Sequence, residues 1–350
     1  MPRAPVNASQ AREFSKDMMR TVLSVEKGGP DTLVYRTDAP IPEPADNEVR
    51  IRVHAAALNL PDLLLIEDKY QDRPARPFAP GSEVAGSVDA VGRNVVHFQP
   101  GQRVMAVTSF GGLAEFVCAP ATKVSAVPQG MPFDHASALL VTYATAWHGL
   151  KYRGNLSRGE TLLVLGASGG VGLAAVELGK ALGARVIAAA SSEEKLAVAR
   201  EAGAEDGIVY PAGSLTPQQQ RDLSGSLKAL AGPAGISMIF DPVGGDYVEP
   251  AFRAIGWGGR YLVVGFAAGI ASLPMNLPLL KGADIVGVYW AQAIMRDSEG
   301  HQKAVEELCD LYARGLLRPR IQSSFPLESS VEALKLLSSR RATGKIVIEV

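Results

Sequence analysis

The chain has little cysteine, almost no net charge and no uninterrupted hydrophobic run long enough for a membrane. Cys118 and Cys309 are the only two cysteines among 350 residues. Two thiols so far apart exclude a disulfide-stapled scaffold and a cysteine-rich zinc module. They fit a reducing, cytoplasmic setting. Lys and Arg total 35 against 36 Asp and Glu, for a net charge of -1. No broad field of one sign is left to hold nucleic acid or an acidic membrane surface. The stretch from Tyr261 to Leu280 carries no charge, yet Pro274, Asn276 and Pro278 break it, and Gly265 and Gly269 interrupt its first half. A lipid-spanning helix keeps its backbone bonds intact, so no membrane span is expected. Residues Met1 to Asp17 contain no apolar core of a secretory signal. Residues 1–18 are expected to form a mobile extension, in which the Asn7-Ala8-Ser9 sequon is idle.

What is present is an ordinary globular composition, 47% hydrophobic and 20% charged, with 36 glycines in no Gly-X-Y period. A chain of this length buries a large core without staples and divides into about two domains. From residue 19 to about 140 the pattern is of short strands. Val49 to Val53 alternates apolar and charged residues, and Val84–Val88 and Arg103–Val107 follow. Turn signals at Gly28-Gly29-Pro30, Pro40 to Pro44, Pro80-Gly81 and Pro100-Gly101 separate these runs, which predicts a barrel-like or sandwich domain. Beyond residue 140 the runs become wholly apolar and alternate with helical spacing. Strands are expected at Thr161–Leu165, Arg185–Ala190, Gly207–Tyr210, Ile236–Phe240, Arg260–Val264 and Ile285–Val288. Helices are expected at Val171–Leu182, stopped by Gly183, and at Ser192–Glu201, followed by Gly203. This alternation predicts an α/β doubly wound parallel sheet. Helices near His301–Arg314 and Ser329–Ser339 and a strand at Lys345–Glu349 complete the chain.

The sharpest motif is Leu165-Gly166-Ala167-Ser168-Gly169-Gly170-Val171-Gly172, which leaves a buried strand and opens a helix. Glycines there let the backbone turn tightly and approach a pyrophosphate, while the helix N-terminus offers free N–H groups and partial positive charge. Ala167 stands at the first glycine of the G-x-G-x-x-G form, and Gly169 and Gly172 fill the other two. Ala167, Ser168, Gly169, Gly170, Val171 and Gly172 are therefore candidate dinucleotide-binding residues; the bland alternative is a tight strand–helix turn. An acidic residue at the end of the next strand would bind the ribose hydroxyl of NAD. Ala190 takes that place, followed by Ser191, Ser192 and Lys195, which suit the 2′-phosphate of NADPH. Glu193 and Glu194 complicate the choice, and Ser191 or Ser192 as a helix cap is the competing explanation.

At this point the chain resembles the medium-chain dehydrogenase/reductase superfamily, and within it the zinc-free, zeta-crystallin-like quinone oxidoreductases. The resemblance covers residues 19–350. It rests on Asn59-Leu60-Pro61-Asp62, Pro80 to Gly86, Val141 to Trp147, the glycine motif and Thr343-Gly344-Lys345-Ile346-Val347, in that order. It implies a β-rich GroES-like substrate domain from residues 19–142 and 289–350, and a Rossmann-type NADPH-binding domain from residues 143–288. It also implies cofactor contacts from Asn59, Thr145, Tyr210, Gly265, Phe266 and Arg341. Tyr210 as a strand-end aromatic and Arg341 as a solvated charge remain the plain alternatives. Tyr70 matches a position lining the substrate cleft, where its phenol would meet an acceptor oxygen, and Tyr70 and Asn59 are the catalytic candidates. Leu64 stands where a second Tyr is common. Tyr143 and Trp290 fit either cleft lining or core.

Zinc enzymes of the superfamily present a Cys, a His-Glu pair and a second Cys to the metal. Asn59, Ser82 and Val141 occupy those places here, leaving only Glu83, and the four-cysteine structural lobe is missing. No metal is expected. Without a Lewis acid for an alkoxide, the reading is hydride transfer from NADPH to a quinone or another α,β-unsaturated carbonyl. A 2-enoyl thioester or enone reductase is the nearest rival, and a low-turnover NADPH-binding structural or RNA-interacting protein the more distant one. A homodimer is expected by resemblance, through the strand near Asp284–Val288.

Overall fold

A computed structural model describes residues 18–350. The extension expected over residues 1–18 lies outside the described residues, except Met18, which already begins the first strand. In chain order the strands are β1 (Met18–Ser24), β2 (Leu33–Pro40), β3 (Glu48–Ala57), β4 (Glu83–Val91), β5 (Arg103–Val107), β6 (Phe116–Pro120) and β7 (Val124–Ala126). Then come β8 (Thr161–Leu165), β9 (Arg185–Ala190), β10 (Asp206–Val209), β11 (Ile236–Asp241), β12 (Ile255–Val263), β13 (Asp284–Gly287), β14 (Ile321–Pro326) and β15 (Lys345–Glu349). Two compact units result. One holds the chain up to Ala138, Ser323–Arg341 and Ile346–Val350; the other holds Leu139–Gln322 and Ala342–Lys345.

The first unit is built on a seven-stranded sheet in the order β14-β15-β3-β4-β5-β7, with β6 paired to β3. The pairs β3–β4, β4–β5, β3–β6 and β15–β3 are antiparallel. The alternation that predicted β3 has its physical counterpart: Val49, Ile51 and Val53 are buried. Between them Arg50 turns outward to Asp89 and Glu43, at 2.6 and 3.0 Å. Register shifts between Arg50 and Ile51 and again between Val53 and Ala55 mark bulges, which bend and twist a strand as barrel closure requires. β1 and β2 form a separate antiparallel pair.

The second unit is a six-stranded sheet in the order β10-β9-β8-β11-β12-β13, with every pairing parallel. Renumbered from its first strand, this is the 3-2-1-4-5-6 order of doubly wound dinucleotide folds, and the order reverses between β8 and β11. Leu163, Leu165, Ile187, Ala189, Ile239 and Tyr261 are buried in one core cluster of this unit.

The boundary between the units differs from the expectation. The chain does not leave the parallel-sheet unit at residue 289 but at Gln322. The helices Trp290–Arg296 and Ser298–Ala313 stay with the parallel sheet. Glu307 explains why: its carboxylate accepts from Trp147 Nε1 at 2.8 Å and from Lys151 Nζ at 2.6 Å. Val305 and Leu308 of the same helix are buried. The chain also switches at Leu139 rather than at residue 143, and Ala342–Lys345 returns to the parallel-sheet unit.

Candidate functional site

The glycine turn follows β8, at the point where the strand order reverses. Gly166 holds φ +59, and a Cβ there would stand 2.8 Å from Val243 Cγ2. Only glycine meets both demands at low cost. Gly172 faces the carbonyl of Gly166 so closely that no side chain fits between them. Ala167 N–H donates to the Ala189 carbonyl at 3.1 Å, which ties the turn to β9. The helix Gly170–Ala181 then starts at the cap Gly169, with no acidic residue in its first turn. Its first main-chain bond runs from Leu173 N–H to Gly169 C=O at 2.8 Å, so the N–H groups of residues 170–172 precede the helical ladder. The turn therefore leaves main-chain donors and positive partial charge together at the start of the helix.

Tyr210 stands one residue past β10, its N–H bonded to the Ala190 carbonyl at 2.9 Å. Its phenol faces the Gly166 backbone, and burial holds it well above its ordinary range, so it stays neutral. The ring lies 4.7 Å from that of Tyr247, whose own hydroxyl is 2.8 Å from the carbonyls of Pro211 and Gly213. Tyr210 thus braces the glycine turn, while also packing as a strand-end aromatic.

β9 ends at Ala190, as expected, so Glu193 and Glu194 fall in the first turn of the helix Glu193–Ala202 and are exposed. Ser192 caps that helix, its hydroxyl accepting from Lys195 N–H at 3.2 Å. Lys195 folds back so that Nζ lies 3.3 Å from Ser191 Oγ. The capping role and the cluster of two hydroxyls and one ammonium therefore coexist.

At the ends of β11 and β12 the structure brings in a residue that sequence reading passed over. Asp241 Oδ1 accepts from Val243 N–H at 2.7 Å and Gly244 N–H at 2.9 Å, and Oδ2 accepts from Tyr261 hydroxyl at 2.7 Å. Its main-chain carbonyl accepts from Val264 and Gly265 at 2.9 and 3.2 Å. Burial pushes the carboxyl up, against those three hydrogen bonds. Asp241 thereby fixes Gly265, while Phe266 follows half exposed. The signal available was Asp241-Pro242-Val243-Gly244-Gly245, an acid and a turn closing a buried strand. Thr145 lies partly buried in the helical stretch of residues 140–153.

In the first unit Asn59 caps the helix Leu60–Ile66. Its backbone N–H donates to Asp62 Oδ2 at 2.7 Å. Its amide Nδ2 donates to Glu83 Oε1 at 2.9 Å and lies 3.2 Å from both Ser82 Oγ and the Ala57 carbonyl. The three matched metal-ligand positions on this unit therefore form one buried hydrogen-bonded group, in which the Asn59 nitrogen acts as donor. Among the described residues no cluster of three or more His, Cys, Asp or Glu side chains could hold a metal ion. Tyr70 is partly buried in the loop after the helix. Arg341 is exposed, its Nε 3.3 Å from Ser339 Oγ. Tyr143 and Trp290 are both buried, as core residues are.

Residues 45–129 match the family model of the alcohol dehydrogenase GroES-like domain, and residues 170–311 that of the zinc-binding dehydrogenases. Together with the strand order, these define a medium-chain dehydrogenase/reductase. The chain is 35% identical over 354 residues to a quinone oxidoreductase-like protein 2 homolog of Nematostella vectensis, covering 98% of this chain and 94% of that one. It is 31% identical over 333 residues to the quinone oxidoreductase of Homo sapiens, covering 95% and 98%. The solved Escherichia coli quinone oxidoreductase complexed with NADPH superposes with a TM-score of 0.85 at 26% identity, over 95% of this chain and 100% of that one. The chain belongs to the quinone oxidoreductase group of the medium-chain dehydrogenases/reductases. The glycine turn at Gly166–Gly172, with main-chain donors at the helix start and no carboxylate in its first turn, fits a dinucleotide diphosphate.

Proposed function

We propose that this chain is an NADPH-dependent reductase that delivers hydride, without zinc, to a quinone or another α,β-unsaturated carbonyl. One observation carries the reading: the glycine turn at the reversal of strand order, followed at the end of β9 by Ser191, Ser192 and Lys195 in place of an acid. NADPH would supply the hydride from its reduced nicotinamide. The chain's own contribution is binding and orientation. Ala167, Ser168, Gly169, Gly170, Val171 and Gly172 hold the diphosphate, with Tyr210 bracing the turn. Ser191, Ser192 and Lys195 take the 2′-phosphate, joined by Arg341. Gly265, Phe266, Thr145 and Asn59 orient the nicotinamide. The Tyr70 phenol donates to the acceptor oxygen, and solvent supplies the proton that completes the two-electron reduction.

The zinc-free part is supported by donor chemistry. An amide nitrogen that already donates to Glu83 and Ser82 is not a metal ligand, and a serine hydroxyl replaces the imidazole beside Glu83. Cys118 and Cys309 are free thiols, both pushed up to about 11 by burial, which accords with a reducing, cytoplasmic setting. No helix among the described residues is long and apolar enough to cross a membrane. A homodimer through the edge strand β13 is supported by apolar side chains left exposed on this unit, Trp257 at 83%, Leu279 at 79% and Leu280 at 67%. Light scattering at micromolar protein reads the oligomer directly, and a monomer there refutes the dimer.

The deciding assay is NADPH oxidation with small quinones, set against crotonyl thioesters and simple enones. Turnover with quinones is expected. Turnover confined to thioesters or enones replaces the quinone reading with the enoyl reductase one. Tight NADPH binding with no acceptor turned over would favour a structural role. Metal analysis of untreated protein is expected to find no stoichiometric zinc.

A further inference from the structure

The segment that follows Asp241, residues 242–245, lies between the glycine turn and the loop of residues 264–269. On one side Val243 packs against the turn: a Cβ on Gly166 would stand 2.8 Å from Val243 Cγ2. On the other side the two main chains are bonded together. Ala268 N–H donates to the Val243 carbonyl and Gly245 N–H to the Gly269 carbonyl, both at 2.7 Å. Gly244 holds φ +70, and a Cβ there would stand 2.5 Å from the Gly269 oxygen and 3.3 Å from Phe266 Cα. The loop that carries Gly265 and Phe266 is thus registered to the glycine turn through residues 242–245.

The Asp241 carboxylate holds that spacer. Oδ1 takes the N–H groups of Val243 and Gly244, and Oδ2 takes the Tyr261 hydroxyl. All three partners donate to it, so an ionised carboxylate, an acceptor on both oxygens, serves them together. Packing contributes less at this place. An apolar cavity of about 170 Å³ lies against Asp241 and Tyr261, bordered also by Val263, Phe266, Leu273 and Ile285. Phe266 is 53% exposed and Ile270 85%. A loop that borders a void and faces solvent keeps its position through hydrogen bonds rather than through close packing. The phosphate end is fixed separately, by the bond from Ala167 N–H to the Ala189 carbonyl and by the Ser192 cap.

We propose that Asp241 is a positioning residue for hydride transfer: through residues 242–245 it sets the distance from the glycine turn to the loop beside the nicotinamide, with Tyr261 fixing its carboxylate. This rests on the reductase reading above. The groups assigned to the phosphates lie outside the Asp241 network, so loss of the carboxylate acts on the rate and spares affinity. A misplacement of about 1 Å at the reacting end costs on the order of a hundredfold in rate.

The test sets NADPH affinity, from fluorescence titration, beside the single-turnover rate of hydride transfer at saturating NADPH. The acceptor is whichever quinone, thioester or enone the wild-type protein turns over. Asp241→Ala is expected to slow hydride transfer about a hundredfold while NADPH affinity stays within about threefold of wild type. Asp241→Asn keeps Oδ1 as an acceptor and presents an amide donor to the Tyr261 oxygen, so it should recover most of the rate. If D241A does not fold, Tyr261→Phe is read in its place, with a rate loss of about tenfold at unchanged affinity, the scale of one hydrogen bond to a charged group. An affinity that falls as far as the rate would overturn the proposal. So would a D241N as slow as D241A, or a rate within about twofold of wild type in whichever of D241A and Y261F is read. A wild-type protein that binds NADPH and reduces no acceptor would instead remove the reductase reading, and one that binds no NADPH the dinucleotide reading beneath it.

Discussion

Glu177 on the helix Gly170–Ala181 should make the stability of this protein fall as pH rises, and Glu177→Gln should remove that dependence. Its Oε2 accepts from the Tyr143 hydroxyl at 2.8 Å and from Arg318 N–H at 3.0 Å. Burial pushes the carboxyl up from 4.5 to about 7, opposed by those two hydrogen bonds and by the charges of Lys180 and Arg318. An acid whose pKa is higher folded than unfolded holds its proton more tightly in the native state. Its stabilising contribution is complete below about 4.5, declines across the interval and is gone above about 7. At about 1.4 kcal/mol per pH unit, the interval amounts to about 3 kcal/mol. Glu177 keeps partial exposure, so screening by solvent brings the expected effect nearer 1–2 kcal/mol. The amide of E177Q is neutral throughout and keeps an acceptor for both donors. Thermal or urea unfolding of the two proteins between about pH 5 and pH 8 should therefore diverge, with E177Q the more stable at the alkaline end and the two converging toward the acid end. Parallel profiles would refute the argument, as would a wild-type protein that gains on the variant with rising pH.

Other perturbations follow from the same geometry. Lys195→Ala should weaken NADPH about tenfold or more while sparing NADH, measured by titration of the two cofactors; equal losses would contradict the 2′-phosphate role. Gly172→Ala drives a methyl group into the Gly166 carbonyl, so it should abolish cofactor binding and cost about 1–3 kcal/mol in unfolding experiments. A variant that binds normally would show that the turn yields more easily than its backbone contacts imply. Asn59→Leu takes the amide donor from the buried Glu83 carboxylate and should cost about 2–3 kcal/mol by denaturant unfolding. A neutral outcome would mean that Glu83 does not depend on that bond.

The residue-level pattern made several elements readable directly. β9 runs from Arg185 to Ala190 and β15 from Lys345 to Glu349, both as expected, because each is a short apolar run bounded by turn or helix-stop residues. The helix over Pro217–Ala231 escaped notice although Thr216 and Gln219 form its capping box. Its buried stripe, Leu223, Leu227 and Ala231 at i, i+4 and i+8, stands between polar neighbours and is a helical signal in its own right. The dinucleotide turn was visible because its chemistry is local: glycines, a preceding strand and a following helix lie within one short segment.

What the sequence could not carry is which distant surfaces meet. Helical spacing identified the helix near residues 301–314 but not the unit it joins. That was settled by Glu307 reaching Trp147 and Lys151, about 160 positions earlier in the chain. Nor does any local pattern announce that Asp241 clamps two loops through Tyr261, or that Lys345 returns to Gly170. Composition, period and turn chemistry act over a few residues and specify many of the strands and helices and the nucleotide turn. Strand order, the division of the C-terminal helices and the hydrogen-bond partners of buried Asn59, Asp241 and Glu177 arise from burial and pairing across the whole chain. Those partners exist only once the chain has folded.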